Sequence, residues 1–269
     1  MEYFLPAGFA LATWWLATLL MMYRSTRARP RCRATLAWIT LIGIAGATGL
    51  VLTRDMASPA GAYLAFLSGL ALWAWHEMSY FLGFVTGPRP QACPAGASDR
   101  ERFVYGVKAS LYHELAIVAT AILILVVNHD TGNSIGTWTF FVLWWMRWSA
   151  KLNIFLGVRN LHREFWPPHL QYLGSYVREA SMNRLFPVSM ILSSAALAWM
   201  LVRAYEATAG SFEQTGMMLL ATILALAILE HIFLVLRVPD AVLWRWASSD
   251  QKIQTSSTLS TELRAGQGS

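Results

Sequence analysis

Seven long apolar runs constrain the fold of this chain more than any other feature. A helix needs about 20 mostly apolar residues to cross the hydrocarbon layer of a bilayer, and each run has that length. Hydrophobic residues make up 56% of the 269 residues and charged residues 13%, about half the charged fraction of a soluble domain. The sequence therefore predicts an all-α, polytopic membrane protein with about seven transmembrane helices. The runs are 4–23, 35–53, 61–84, 103–127, 137–157, 186–206 and 215–237.

The arginines are divided unequally between the loops that connect these runs. The odd-numbered loops hold five, three and four arginines, whereas the even-numbered loops hold Arg54 and the boundary residue Arg203. Because cytoplasmic loops collect Lys and Arg, the N-terminus is predicted in the periplasm and the C-terminus in the cytoplasm, which requires an odd number of helices. The same bias explains the net charge of +6. No basic and aromatic platform lies in a soluble segment, so nucleic-acid binding is not expected.

The loops and termini define the rest of the organisation. The run 4–23 lacks a basic n-region and a cleavage site, so it is predicted to be a retained helix. Residues 1–246 are expected to form one transmembrane domain, and the polar, Ser/Thr-rich residues 247–269 a disordered cytoplasmic tail. Cys32 and Cys93 belong to no CxxC pair and are expected to be reduced thiols.

The aromatic segment 158–185 is predicted to be a cytoplasmic interfacial loop. Its candidate functional residues are His162, Arg163, His169, Tyr172 and Tyr176.

Ionisable residues recur as His/Glu pairs within three of the runs. Charged side chains at membrane depth are costly and usually mark function or a paired structural contact. Counted from the predicted cytoplasmic ends, the pairs lie about 10–15 Å inside that face, and Arg147 in the fifth run lies at the same level. We call these residues the His/Glu layer and take its glutamates Glu77, Glu114 and Glu230 as the candidate catalytic groups. The predicted ligand-binding residues of the layer are His76, Glu77, His113, Glu114, Arg147, Glu230 and His231.

The residues of this layer admit three interpretations. The first is a structural network of ion pairs that fixes helix packing. The second is a metal site, with His76, His113 and His231 as candidate ligands; no HExxH or di-iron histidine cluster supports it. The third is a tetrapyrrole site, because imidazole can ligate haem iron or chlorophyll magnesium and nearby tryptophans could form flat walls. The residue pattern leaves all three open.

Several short motifs follow one another along the predicted runs and loops. The motifs are Trp75-His76-Glu77, Gly87-Pro88-Arg89, Tyr112-His113-Glu114-Leu115, the stretch 151–158, Pro168-His169-Leu170 and Ser175-Tyr176. Together they resemble the photosynthetic complex assembly protein 2 family, the PuhE-like proteins of purple phototrophic bacteria, and the resemblance covers about residues 1–250. It implies a role in supplying bacteriochlorophyll-containing complexes, a gene near that of the reaction-centre H subunit, and a place in the inner or intracytoplasmic membrane.

Residues and resemblance together give three functional hypotheses. The first is a membrane-embedded assembly factor that handles bacteriochlorophyll or a precursor at the His/Glu layer, in contact with reaction-centre or light-harvesting subunits and other assembly factors. The second is an enzyme that removes magnesium from bacteriochlorophyll to give bacteriopheophytin, since buried carboxylic acids can deliver protons near neutral pH. The third is a transporter, although many transporters are built from internal repeats and none is visible here.

Overall fold

A computed structural model describes residues 2–27, 32–161 and 166–236. Within these ranges the chain is helical, with seven α-helices, one 3₁₀ helix and a single isolated bridge between Val158 and Glu179 in place of any sheet. Each α-helix overlaps one predicted run. The α-helices are α1 (Phe4–Arg27), α2 (Arg33–Thr53), α3 (Pro59–Phe81), α4 (Asp99–Val127), α5 (Ile135–Leu156), α6 (Leu185–Glu206) and α7 (Phe212–Phe233), and the 3₁₀ helix is Pro168–Tyr176.

Five of the described helices are long and apolar enough to cross a membrane, namely α1, α2, α4, α6 and α7. The chain is therefore a multi-pass helical membrane protein. The other two α-helices, α3 and α5, carry Glu77, Arg147 and Lys151 together with several tryptophans. More than half of the residues of α3 are buried against neighbouring helices. Its polar side chains are thus enclosed by protein rather than by lipid.

Small residues let α3 approach its neighbours closely. A Cβ atom at Gly46 of α2 would lie 2.7 Å from the Ser68 carbonyl oxygen of α3. On the other side of α3, a Cβ at Gly69 would collide with the backbone of Gly136 in α5. Close backbone approach at small residues is the usual basis of helix packing in membranes. These contacts place the end of α3 that carries His76 and Glu77 beside α5.

The starts of three helices carry serine caps. The Ser58 hydroxyl accepts a hydrogen bond from the Gly61 amide at the start of α3, and Ser211 caps Gln214 in the same way in α7. Ser98 and Glu101 form a reciprocal capping box at the start of α4. Such caps satisfy amide groups that lack a partner within the helix. Because of the capping box, α4 begins at Asp99, four residues before the predicted run.

The α3–α4 and α5–α6 connections pack together at one end of the bundle, which we call the loop face. His169 Nε2 donates to the Phe81 carbonyl at 2.9 Å and so caps the end of α3. The Tyr176 hydroxyl donates to the Gln91 carbonyl at 2.5 Å and accepts a hydrogen bond from Arg89. Burial raises the pKa of Tyr176, against the opposing effect of Arg89, so its hydroxyl stays protonated at neutral pH.

The predicted interfacial loop is therefore partly a 3₁₀ helix that is tied to the neighbouring connection. Tyr172 also lies in this helix, and its hydroxyl is buried with no hydrogen-bond partner among the described residues. His162 and Arg163 lie outside the described residues, as does the predicted tail 247–269. Cys32 and Cys93 are free thiols.

Candidate functional site

An ion pair between α3 and α5 lies at the centre of the candidate site. Arg147 Nη2 of α5 lies 3.1 Å from Glu77 Oε2 of α3. The other carboxylate oxygen, Glu77 Oε1, is 3.9 Å from Nε2 of His113 in α4, too far for a hydrogen bond. The Glu77 side chain is 7% exposed. Three helices thus converge on one buried carboxylate.

The two histidines beside this carboxylate differ in their hydrogen bonding. His76 Nε2 lies 3.0 Å from the Thr120 hydroxyl of α4. His113 is fully buried, and neither of its ring nitrogens has a hydrogen-bond partner in the described part of the chain. The two imidazole centroids are 6.4 Å apart. We call His76, Glu77, His113 and Arg147 the Glu77 cluster. Within it, His113 is the uncommitted imidazole, with neither ring nitrogen hydrogen-bonded in the described part of the chain, whereas in His76 only Nδ1 lacks a partner.

Glu114 forms a second ion pair, separate from the Glu77 cluster. Its Oε1 atom lies 2.5 Å from Lys151 Nζ, and its Oε2 atom accepts a hydrogen bond from the Trp148 indole at 2.7 Å. Both partners are on α5, one turn apart. His113 and Glu114 are adjacent in sequence but point to different surroundings, as expected for neighbours about 100° apart on a helix. His113 faces the bundle interior, whereas Glu114 is partly exposed.

The third predicted pair divides in the same way. His231 is buried, with Nδ1 2.9 Å from the Ala227 carbonyl and Nε2 3.0 Å from the Ser149 hydroxyl of α5. Glu230 lies on the exposed side of α7 and interacts with Arg147 electrostatically, with no direct ion pair described between them. His231 is therefore a packing residue between α7 and α5 in this arrangement. It is not part of the Glu77 cluster.

A half-open groove of about 490 Å³ runs between α4 and α5 beside the Glu77 cluster. Of the predicted layer it contacts Glu114 and Arg147, and of the predicted loop residues it contacts Tyr176. The Tyr80 ring lines the groove and also lies 4.5 Å from the His113 ring, centroid to centroid. Tyr80 therefore separates His113 from the groove. The main aromatic lining residues are Tyr80, Phe81, Phe103, Trp148, Phe155, Trp166 and Tyr176.

The sequence did not predict this groove. Its apolar lining comes from four separate segments, and no spacing within α4 or α5 distinguishes a groove-lining aromatic residue from a lipid-facing one. The exposed Trp145 and the groove-lining Trp148 are only three residues apart. The one available signal was a pair of donors on α5, with Trp148 directly after Arg147 and Lys151 one turn after it.

The described residues contain no group of three or more His, Cys, Asp or Glu side chains that could hold a metal ion. The candidate ligands His76 and His113 are neighbours, but His231 lies apart from them, hydrogen-bonded to Ser149. A metal held by several protein ligands does not fit this geometry. His113 has no hydrogen-bond partner among the described residues, and its ring is fully buried behind that of Tyr80.

Fold and site together define a multi-pass helical membrane protein with a buried cluster of His, Glu and Arg. Comparison with known proteins then places it in a family. The family model described as a protein of unknown function (DUF3623) matches residues 1–255, so the chain belongs to that family. A relative from Rhodobacter capsulatus, named as an uncharacterized 30.4 kDa protein in the puhA 5' region, is 39% identical over 239 residues. The alignment covers 87% of this chain and 86% of the relative. No solved structure matches the chain.

Proposed function

We propose that this protein is an integral-membrane factor for assembly of bacterial photosynthetic complexes, and that it handles bacteriochlorophyll at the His/Glu layer. The position of the relative's gene beside puhA supports a photosynthesis-related membrane protein. The resemblance of the motifs to the PuhE-like proteins supports the finer role. Reaction-centre or light-harvesting subunits and other assembly factors are its proposed partners.

The observation that carries the proposal is the uncommitted imidazole of His113. The other two buried histidines of the layer, His76 and His231, each have hydrogen-bond partners. Buried polar groups without partners are rare and need an explanation, such as a ligand. Magnesium in a tetrapyrrole accepts one axial nitrogen ligand, and His113 can supply it if the Tyr80 ring moves aside.

We further propose that α3 and α5 also span the membrane, giving seven spans with the N-terminus in the periplasm. Only if α3 and α5 also cross the membrane do the three arginine-rich loops all lie on one side, which the charge rule makes cytoplasmic. The loop face is then cytoplasmic. The proposed location is the inner or intracytoplasmic membrane.

The proposal is tested in a phototrophic host that lacks its own copy of the gene. We expect the parental chain to restore the bacteriochlorophyll absorption bands of isolated membranes. His113→Leu should fail to restore them while the protein itself accumulates. His129→Ala is the matched control, because that histidine is exposed in the α4–α5 loop. Full restoration by His113→Leu would contradict pigment handling at this residue.

Removal of magnesium is the second candidate function, because a carboxylate lies 3.9 Å from the uncommitted imidazole. In that reaction two protons replace one Mg²⁺ ion on the ring nitrogens, and Glu77 could assist the proton transfer. Incubation of the purified protein with bacteriochlorophyll distinguishes the two. A stable bound spectrum indicates an assembly factor, whereas conversion of many equivalents to bacteriopheophytin indicates the enzyme.

A further inference from the structure

The α4–α5 groove is apolar near the loop face and charged deeper inside, which is the reverse of a lipid with its charged head at the interface. Phe103 and Phe155 line its apolar end near the loop face, and Glu114 and Arg147 line its charged end. Glu114 is eleven residues beyond Phe103 on α4, which places the charged end about 16 Å deeper along the helix. A phospholipid keeps its head at the interface and its chains inside, so its head would meet the apolar end. The groove therefore favours another kind of ligand.

The charged end offers more hydrogen-bond donors than its own acceptors use. Lys151 has three ammonium hydrogens, of which one serves the ion pair with Glu114. Arg147 pairs with Glu77 through Nη2, and its Nε is buried with no partner in the described part of the chain. The single N–H of the Trp148 indole is already donated to Glu114, so the spare donors at this end belong to Lys151 and Arg147. A ligand suited to this end carries oxygen acceptors such as carbonyl groups.

The remaining lining favours a flat, conjugated molecule over a saturated chain. Aromatic side chains come from α3, α4, α5 and the 3₁₀ helix, and aromatic faces and edges pack well against a planar ring system. Val107 and Leu152 line the groove and are 41% and 38% exposed, so the groove opens sideways into the bilayer. Its volume is within the range of about 300–1,000 Å³ that small-molecule sites occupy.

We infer that the α4–α5 groove binds a flat, conjugated molecule with carbonyl oxygens along one edge, which is the tetrapyrrole ring of bacteriochlorophyll. The inference rests on the proposed function and adds where and how the pigment is first held. The remaining ammonium hydrogens of Lys151 recognise the oxygen-bearing edge of the ring. The magnesium plays no part at this stage, because Tyr80 stands between the groove and His113.

The test compares ligand binding to the purified full-length protein in nanodiscs by absorption and fluorescence titration. The probes are bacteriochlorophyll and its magnesium-free form, bacteriopheophytin, and we expect the two affinities to agree within about threefold. Lys151→Met removes the ammonium donors and keeps a side chain of similar length, and it should weaken both about tenfold, the effect of one lost hydrogen bond. Lys108→Met, at an exposed position on α4, is the control.

A second variant fills the groove without touching its donors. A Cβ at Gly106 would meet Tyr176 at an ordinary 3.8 Å, so Gly106→Leu is tolerated in α4 while its larger side chain occupies the groove. We expect it to weaken both pigments, whereas Ala119→Leu, at an exposed position of α4, should not. Full-strength binding of pigment to both Lys151→Met and Gly106→Leu would overturn the inference.

The failures of the two proposals are distinguishable. One outcome is that the parental protein binds pigment, the groove variants bind it equally well, and His113→Leu abolishes binding. In that case the groove inference is wrong and the proposed handling of pigment stands. If neither tetrapyrrole binds, pigment handling is wrong and the tetrapyrrole assignment of the groove falls with it. A quinone serves as a further flat, carbonyl-bearing probe. Binding of the quinone alone, lost in Gly106→Leu, would overturn the assignment by showing that the groove takes a different ligand.

Discussion

Arg147 and Glu77 form an ion pair of 3.1 Å between α5 and α3, the two described α-helices that are not apolar enough to count as spans by composition. The pairing explains how charged side chains can occupy these helices. Each neutralises the other, and α2, α4 and α7 pack around α3. The low hydropathy of α3 follows from its interior position.

Glu77→Gln should destabilise the protein because it leaves the Arg147 guanidinium without its counter-charge. Removing one partner of a buried ion pair costs about 3–5 kcal/mol. We expect the lower end of that range, since the Arg147 side chain is 29% exposed. Thermal unfolding in detergent measures the change. Glu206→Gln is the control, because Glu206 pairs with Arg203 at an exposed position, where a pair contributes less than about 1 kcal/mol. Equal effects of the two changes would contradict this account.

His113→Leu and His231→Leu should separate function from stability. The His113 ring makes no hydrogen bond that leucine would break, so we expect a thermal midpoint close to that of the parental protein. His231 has two hydrogen-bonding contacts, to Ala227 and Ser149, so His231→Leu leaves a buried hydroxyl unpaired and should lower the midpoint. Under the proposed function, the first variant fails to restore the bacteriochlorophyll bands of isolated membranes. The reverse order of midpoints would refute these assignments.

The capping box should protect the first turn of α4 from hydrogen exchange. The Ser98 hydroxyl accepts a hydrogen bond from the Glu101 amide, and the Glu101 carboxylate accepts one from the Ser98 amide. Replacing a serine cap by alanine costs about 1 kcal/mol. Ser98→Ala should therefore lower the protection factors of the first turn of α4 in amide hydrogen exchange. Ser134→Ala is the control, because Ser134 precedes α5 without a capping hydrogen bond, and equal effects of the two changes would contradict the role of the box.

The number and rough position of the α-helices followed from hydropathy because about 20 apolar residues have one stable arrangement in a bilayer. Helix ends were less predictable. The early start of α4 depends on the Ser98 and Glu101 side chains, which hydropathy does not register. The end of α3 depends on His169, which lies 88 residues away from the carbonyl that it caps.

Sequence reasoning brought together the right residue types but could not assign their partners. Depth along each helix is readable from residue counts, whereas the direction of a side chain depends on which neighbour packs on that side. For this reason Glu77 and Arg147 meet directly, while Glu230 of the same predicted layer lies on an exposed side of α7. The groove was missed for the same reason, because it is a property of the space between α4 and α5.

The proposed topology can be tested with the two native cysteines. Cys32 precedes α2 and Cys93 lies between α3 and α4, so both should be cytoplasmic. A membrane-impermeant maleimide should label neither in intact spheroplasts and both in inverted vesicles. Hydrogen bonding by Thr35 lowers the pKa of the Cys32 thiol, which favours the reactive thiolate at neutral pH and should speed its labelling.

The control for this experiment is His129→Cys in a Cys32→Ser, Cys93→Ser background. His129 is exposed in the α4–α5 loop, which the seven-span arrangement places in the periplasm. This variant should be labelled in spheroplasts, opposite to the native cysteines. If α3 and α5 did not cross the membrane, the five remaining spans would still place Cys93 and position 129 on opposite sides. They would also place Cys32 and Cys93 on opposite sides, unlike the seven-span arrangement. Labelling of Cys32 and Cys93 from opposite faces would therefore refute the seven-span topology.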